Sequence, residues 1–142
     1  MQQYSHLLVG LDLSKESELI AEKACALAKL CNAKISFVHV IEPLTFAYAG
    51  DIPVDLTETQ ASMEKHATER LSELCSALNC KPENIQVIIG PTADTLRECA
   101  ADLEADLIVV GSHGRHGLAL ILGSTASDVL HGAKCDVLAI RV

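Results

Sequence analysis

Short apolar runs alternate with longer helical patterns along the chain. Five of the runs are rich in β-branched residues and predict strands at residues 6–11, 34–40, 85–89, 106–110 and 136–142. Each run is almost continuously apolar, which is typical of strands that are covered on both faces. A parallel sheet meets this condition because every crossover connection lays a helix on one face. The pattern therefore predicts an α/β fold: a doubly wound open sheet of five parallel strands between helices.

Residues at helical spacing predict four helices between these strands. The starts are marked by an N-capping Ser14, by Thr57 and Gln60 as a candidate capping box, by Thr92 after a proline, and by Ser124 after a glycine. The second helix is expected to bury Met63, Ala67, Leu71, Leu74 and Leu78. The fourth should end near Gly132. Only residues 42–56 form a long connection without a clear period, and they are expected to be an irregular loop.

The length and the absence of targeting signals limit the class of protein. A chain of 142 residues has the size of one domain, so residues 1–142 are expected to form a single domain. No apolar run approaches the roughly 20 residues that cross a bilayer, and the first residues lack the pattern of a secretion signal. We expect a cytoplasmic protein.

The charge of the chain argues against nucleic-acid and membrane partners. The formal net charge is −8, and the 11 Lys and Arg residues are scattered along the sequence. A protein that binds DNA, RNA or an anionic membrane needs a basic patch to contact phosphates. With aromatic residues at 3% and no Trp, a base-stacking platform is also hard to build. Any base-binding pocket in this chain is expected to be aliphatic.

The six cysteines lack the spacing of a metal or redox site. No pair has the C-x-x-C pattern, and Cys25, Cys99 and Cys135 lie in apolar sequence, where a thiol behaves as a small hydrophobic group. In a chain without a secretion signal, we expect all six to be reduced thiols.

The most unusual chemistry follows the fourth predicted strand. In an open parallel sheet, ligands bind beyond the carboxyl ends of the strands. Here three glycines spaced by three, Gly111, Gly114 and Gly117, precede Gly123-Ser124-Thr125 at a helix start. Glycines let the backbone approach an anion closely, and free N–H groups at a helix start point toward it. The segment is a candidate phosphate loop to which Arg115 and His116 add charge and the Ser124 and Thr125 hydroxyls add donors.

Two common phosphate loops are excluded. The dinucleotide-binding fingerprint requires G-x-G-x-x-G after the first strand, whereas residues 9–14 read Val-Gly-Leu-Asp-Leu-Ser. A G-x-x-x-x-G-K-S/T segment is absent from the whole sequence. The chain is therefore neither a dehydrogenase of that type nor a P-loop enzyme.

The chain resembles the universal stress protein family over essentially its whole length. The resemblance is carried by residues 7–14, by Val38-His39-Val40, and by the glycine segment from Gly111-Ser112-His113-Gly114-Arg115 to Gly123-Ser124. It implies a Rossmann-like sheet of order 3-2-1-4-5, like that of the adenine nucleotide alpha hydrolases, with ATP, and possible Mg²⁺, between strands one and four. Asp12 and Val40 would then line the adenosine, Gly111 and Gly114 the ribose and phosphates, and Gly123, Ser124 and Thr125 the phosphates, with Arg115 beside them.

One departure from the family pattern keeps alternatives open. The segment from Arg115 to Leu122 has one residue fewer than the family's ATP motif, which shortens an extended path by about 3.5 Å. The alternative is a nucleotide-free homodimeric interaction protein, and a slow ATPase or autophosphorylating enzyme is a third. No catalytic set is evident, so we expect binding without substantial catalysis. The resemblance also implies a homodimer through the C-terminal strand, Asp136 to Val142, whose edge would otherwise be exposed.

Single residues also have simpler structural interpretations. Asp12 serves equally well as a ligand contact or as the turn that leaves a strand and starts a helix. The glycines could serve only a tight turn, and His113 and His116 lack a third metal ligand at fixed spacing. The side chain of His39 is expected between the sheet and a helix layer, without a catalytic role.

Overall fold

Five parallel strands form the central sheet in a computed structural model of the protein, which describes residues 3–43, 47–49, 52–54, 57–112 and 124–142. In chain order the strands are β1 (His6–Gly10), β2 (Lys34–Ile41), β3 (Ala47–Ala49), β4 (Ile52–Val54), β5 (Asn84–Ile89), β6 (Leu107–Gly111) and β7 (Asp136–Ile140). The large sheet has the order β5-β2-β1-β6-β7, with every neighbouring pair parallel. When only the five strands of this sheet are numbered in chain order, the order is the predicted 3-2-1-4-5. Each predicted strand is found within two residues of its expected bounds.

Helices cover both faces of the sheet. Within the described ranges they are α1 (Ser17–Cys31), α2 (Thr57–Ser76), α3 (Thr92–Asp102) and α4 (Ser124–Gly132). One core cluster joins α1 and α2 to Leu7 and Val9 of β1, and a second joins α3 and α4 to Leu8 between them. Because successive strand residues point to opposite faces, both faces of β1 are buried. This explains why β1 reads as a continuous apolar run.

Two details of the helix predictions were wrong. The first helix begins at Ser17, after an N-cap Glu16 with no side-chain capping bond, because Ser14 lies in a preceding turn held by Asp12. In α2 the buried residues are Ala67, Leu71 and Cys75, whereas Met63 is 40% exposed. The inner stripe of α2 therefore starts about one turn later than the apolar pattern indicates.

Part of the segment between β2 and α2 forms regular structure that was not predicted. Residues 47–49 and 52–54 pair as the short antiparallel strands β3 and β4, with Tyr48 opposite Pro53. Three-residue strands are too short to show a period-two pattern in the sequence. The expectation of an irregular loop over 42–56 was therefore wrong for these six residues.

The prediction that all cysteines are reduced was wrong for one pair. Cys25 of α1 and Cys80, which follows α2, form a disulfide with their Cα atoms 6.1 Å apart. The other four cysteines are free, and burial raises the pKa of the Cys75 thiol to about 11. Pairing across 55 residues depends on how α1 and α2 pack together, which spacing in the sequence does not reveal.

Candidate functional site

The register of β1 and β2 brings Asp12 next to Val40. Gly10 pairs with Val38 across the two strands, and the Leu11 amide donates to the Val38 carbonyl at 3.0 Å. Parallel neighbours advance together along their strands, so two residues further on Asp12 lies level with Val40. The two residues assigned to the adenosine end therefore lie side by side at the carboxyl edge of the sheet.

The register of β1 and β6 brings Gly111 to the same place. Val9 pairs with Val109, so Leu11 lies level with Gly111 two residues later. After β1 the chain enters α1 on one face of the sheet, and after β6 it leads to α4 on the other face. The connections diverge between these strands, which is where open α/β sheets form a ligand crevice.

The start of α4 lies at this edge as well. Gly111 ends β6 at the carboxyl edge, and β7 runs parallel to β6 from Asp136. Since α4 precedes β7, it runs back across the sheet and has its first residues, Ser124 and Thr125, at the carboxyl edge. The structure thus brings Asp12, Val40, Gly111, Ser124 and Thr125 to one edge of the molecule.

Three of the predicted site residues fall outside the described ranges. They are Gly114, Arg115 and Gly123 of the glycine segment, and His113 and His116 lie in the same stretch. Within the described ranges, no three His, Cys, Asp or Glu side chains are grouped so that they could hold a metal ion. The assignments of the three site residues therefore stay predictions from the sequence.

Asp12 forms the turn that follows β1. Its Oδ1 accepts hydrogen bonds from the Ser14 amide at 2.9 Å and from the Ser17 hydroxyl at 3.2 Å. Leu13, between Asp12 and Ser14, is 4% exposed and has a φ of 60°. This left-handed conformation costs a residue with a side chain roughly 1–2 kcal/mol. The structural role of Asp12 is therefore confirmed, and a ligand contact stays a prediction.

His39 holds the same turn through a hydrogen bond to the backbone of Leu11. Its side chain is 7% exposed, and its Nδ1 lies 2.7 Å from the Leu11 carbonyl oxygen. A carbonyl only accepts, so Nδ1 carries the proton and donates it. The side chain is buried as predicted, but its contribution to the shape of the crevice was missed. The available signal was a polar residue near the carboxyl end of an otherwise apolar strand.

Ser112 joins the end of β6 to the C-terminus. Its amide donates to the Ile140 carbonyl at 2.7 Å, and its hydroxyl accepts from the Val142 amide at 3.3 Å. The residue is only 6% exposed. One hydrogen bond thus fixes Ser112 to the end of β7, and the other fixes it to Val142, two residues further along.

A groove of about 530 Å³ extends from this edge between α3 and α4. The Thr92 hydroxyl donates to the Glu42 carboxylate across its mouth at 3.0 Å. The lining includes Thr125 of the predicted site, together with Glu42, Thr92, Arg97, Asp128 and His131. Asp12, Val40 and Gly111 do not line it, so the groove adjoins the crevice at its α4 side. Sequence reasoning missed these groove residues because they come from three separate segments.

Comparison with known proteins gives the family of the chain. The model of the universal stress protein family matches residues 3–141 of the chain. The chain belongs to the universal stress protein family. Two relatives from Coxiella burnetii, universal stress protein A homologs 1 and 2, are each 40% identical to this universal stress protein. The alignments cover 96% and 100% of this chain and 96% and 98% of the relatives.

Solved structures of universal stress proteins share the fold. One of them, in complex with cAMP, is 25% identical, with a TM-score of 0.64 over 99% of this chain and 98% of that one. The universal stress protein UspA from Lactobacillus plantarum has a TM-score of 0.75 at 21% identity, covering 99% and 100% of the two chains. The second comparison supports the architecture alone.

Proposed function

We propose that this universal stress protein is a cytoplasmic adenine-nucleotide-binding module that takes ATP in the crevice between β1 and β6. Asp12 and Val40 line the adenosine, Gly111 and Gly114 contact the ribose and phosphates, and the segment from Gly123 to Thr125 binds the phosphates. Mg²⁺ accompanies the nucleotide as a counterion of its phosphates.

The observation that carries this proposal is the convergence of three strand ends. Asp12, Val40 and Gly111 come from β1, β2 and β6, and the registers place them level at the carboxyl edge. At this edge the connections from β1 and β6 diverge to opposite faces of the sheet, and α4 begins on the same side. A helix start supplies N–H groups that favour phosphate. The cAMP complex of a 25% identical family member supports an adenine nucleotide as the ligand class.

The proposal includes binding without substantial catalysis. Rapid ATP hydrolysis needs a placed base, a magnesium ligand and a group that stabilises charge, all in one site. The best candidate base, Asp12, uses Oδ1 to hold its own turn. A carboxylate that accepts hydrogen bonds from the Ser14 amide and the Ser17 hydroxyl is better suited to fixing the shape of a binding site than to transferring a proton.

Isothermal titration with ATP, ADP and AMP in the presence of magnesium tests the proposal. The protein is first stripped of bound nucleotide, and Gly123→Val serves as the loop-blocked control. We expect micromolar binding by the wild type that is lost in the variant, because a branched side chain keeps the phosphates away from the backbone amides. An absence of heat at millimolar nucleotide would overturn the proposal.

The alternative function is that of a nucleotide-free homodimeric interaction protein. Two observations favour it: the glycine segment is one residue shorter than the family's ATP motif, and Leu138 of the edge strand β7 is 37% exposed. Within the described ranges β7 pairs only with β6. The backbone N–H and C=O groups on its outer edge can therefore pair with a strand of a second copy. A dimer that binds no nucleotide in the same titration would establish this function instead.

A further inference from the structure

The placement of α4 depends on its neighbours. The helix runs from Ser124 to Gly132, a length of about 13 Å, and helices this short are marginal in water by themselves. Ala126 and Val129 are 1% and 0% exposed, so they turn one face of α4 toward the sheet. Apolar contacts have no preferred direction. They restrain the sliding of α4 along its own axis less than a directional hydrogen bond does.

Arg97 supplies that directional contact. Its Nη1 donates to the backbone carbonyl of Asp128 in α4 at 2.6 Å, and its Nη2 pairs with the carboxylate of Asp94 one turn earlier in α3. The Arg97 side chain is 24% exposed. Because the guanidinium is planar and held on both sides, it ties the backbone of α4 to a fixed point on α3.

Gly132 lets Arg97 come this close. A Cβ added at Gly132 would lie 2.7 Å from both Cζ and Nε of Arg97, inside van der Waals contact. Glycine is a common residue at helix ends, and at the last position of α4 it also leaves room for the guanidinium. A side chain at this position would displace the guanidinium from the backbone of α4.

We propose that Arg97 is a positioning residue for the phosphate end of the nucleotide site, holding α4 at a set height against α3. The inference rests on the proposed function. A short helix moves as a rigid rod, so fixing it at Asp128 and Gly132 also fixes Ser124 and Thr125 at its other end. Thr125 and Arg97 line the same groove, which connects the two positions in space.

Two variants test this role by opposite routes. Arg97→Gln removes the planar fork and its charge. Gly132→Ala keeps the charge and displaces only the flexible end of Arg97. Arg70→Gln is the matched control, since Arg70 is an exposed arginine of α2 on the other face of the sheet.

The readout is the difference between ADP and adenosine in isothermal titration. Both Arg97→Gln and Gly132→Ala are expected to weaken ADP binding about fivefold or more, the loss that corresponds to one hydrogen bond, while adenosine binding changes less than about twofold. Equal losses for both ligands, or an ADP loss in Arg97→Gln that Gly132→Ala does not share, would overturn the positioning role.

A ligand-free measurement separates this inference from the proposed function. In amide NMR spectra, both variants should shift the signals from Thr125 to Val129, and Arg70→Gln should leave them in place. Unmoved α4 signals overturn the positioning role whatever the binding data show. If the wild type binds neither ADP nor adenosine, the proposed function is overturned, and the role of Arg97 in affinity is overturned with it.

Discussion

At the scale of single residues, polar side chains at strand ends shape the crevice. Asp12 closes the turn after β1, His39 holds the Leu11 carbonyl, and Ser112 anchors the end of β6. The sequence indicates that such residues stand at strand ends, and it placed Asp12 and Val40 in the site. It does not indicate which backbone groups they bind, because those partners lie up to 30 residues away and are defined only by packing.

Asp106 holds the opposite, amino-terminal edge of the sheet. Its carboxylate accepts from the Ser5 amide at 2.9 Å and from the His6 amide at 3.0 Å. Partial burial acts to raise the pKa of Asp106, but these hydrogen bonds and that of the Ser5 hydroxyl outweigh it, and the pKa is lowered. A lowered pKa in the folded state contributes stability above the unfolded value of about 3.9, and this contribution is lost as the pH falls through the folded pKa.

We therefore expect Asp106→Asn to be less stable than the wild type at pH 7. The loss should be below about 1 kcal/mol because solvent screens this largely accessible carboxylate. Urea unfolding at pH 7 and at pH 2.5 measures it, and the difference between the two proteins should shrink at the lower pH. A difference that stays constant between the two pH values would show that the ionised carboxylate contributes nothing.

At the scale of elements, strands and helices with long apolar patterns were easier to predict than short strands or helix ends. The five main strands lie within two residues of their expected bounds because each is a continuous apolar run, and α3 begins at the expected Thr92 after a proline. The start of α1 was missed because a turn closed by Asp12 replaces the expected cap at Ser14. The hairpin of β3 and β4 was missed because three residues carry too little pattern.

The Cys25–Cys80 disulfide is expected to stabilise the contact between α1 and the segment that follows α2. It closes a loop across 55 residues. A disulfide that closes a loop restricts the unfolded chain and so raises the free energy of unfolding, typically by about 2–4 kcal/mol. Adding dithiothreitol should therefore lower the free energy of unfolding of the wild type. Cys80→Ser should match the reduced wild type and should not respond to the reductant. Equal unfolding curves for the wild type with and without reductant would contradict this expectation.

At the scale of the whole molecule, the strand order decides where a ligand goes. The order β5-β2-β1-β6-β7 places β1 and β6 side by side, although they are about 100 residues apart in sequence. The sequence predicted this order through its resemblance to a family, because apolar periodicity alone does not show which strands are neighbours. None of the helices in the described part of the chain is long and apolar enough to span a membrane.

The edge strand β7 is expected to form a homodimer interface. Leu138→Lys places a charge on this edge and should convert a micromolar dimer to a monomer, because the buried charge would lack a partner. Ile85→Lys on the opposite edge strand, β5, is the matched control, since Ile85 is 41% exposed. Light scattering after size exclusion gives both masses. A monomeric wild type, or a dimer lost only in Ile85→Lys, would rule this interface out.

The most direct test of the nucleotide site is to map its position on the protein. Adding ATP with magnesium to the isotope-labelled protein should shift the amide NMR signals of Asp12, Val40, Gly111 and Thr125, because these residues meet at the carboxyl edge of the sheet. Signals from α2 and from the amino-terminal edge at Asp106 should stay in place. Shifts confined to those regions, or no shifts at millimolar ATP, would contradict the account.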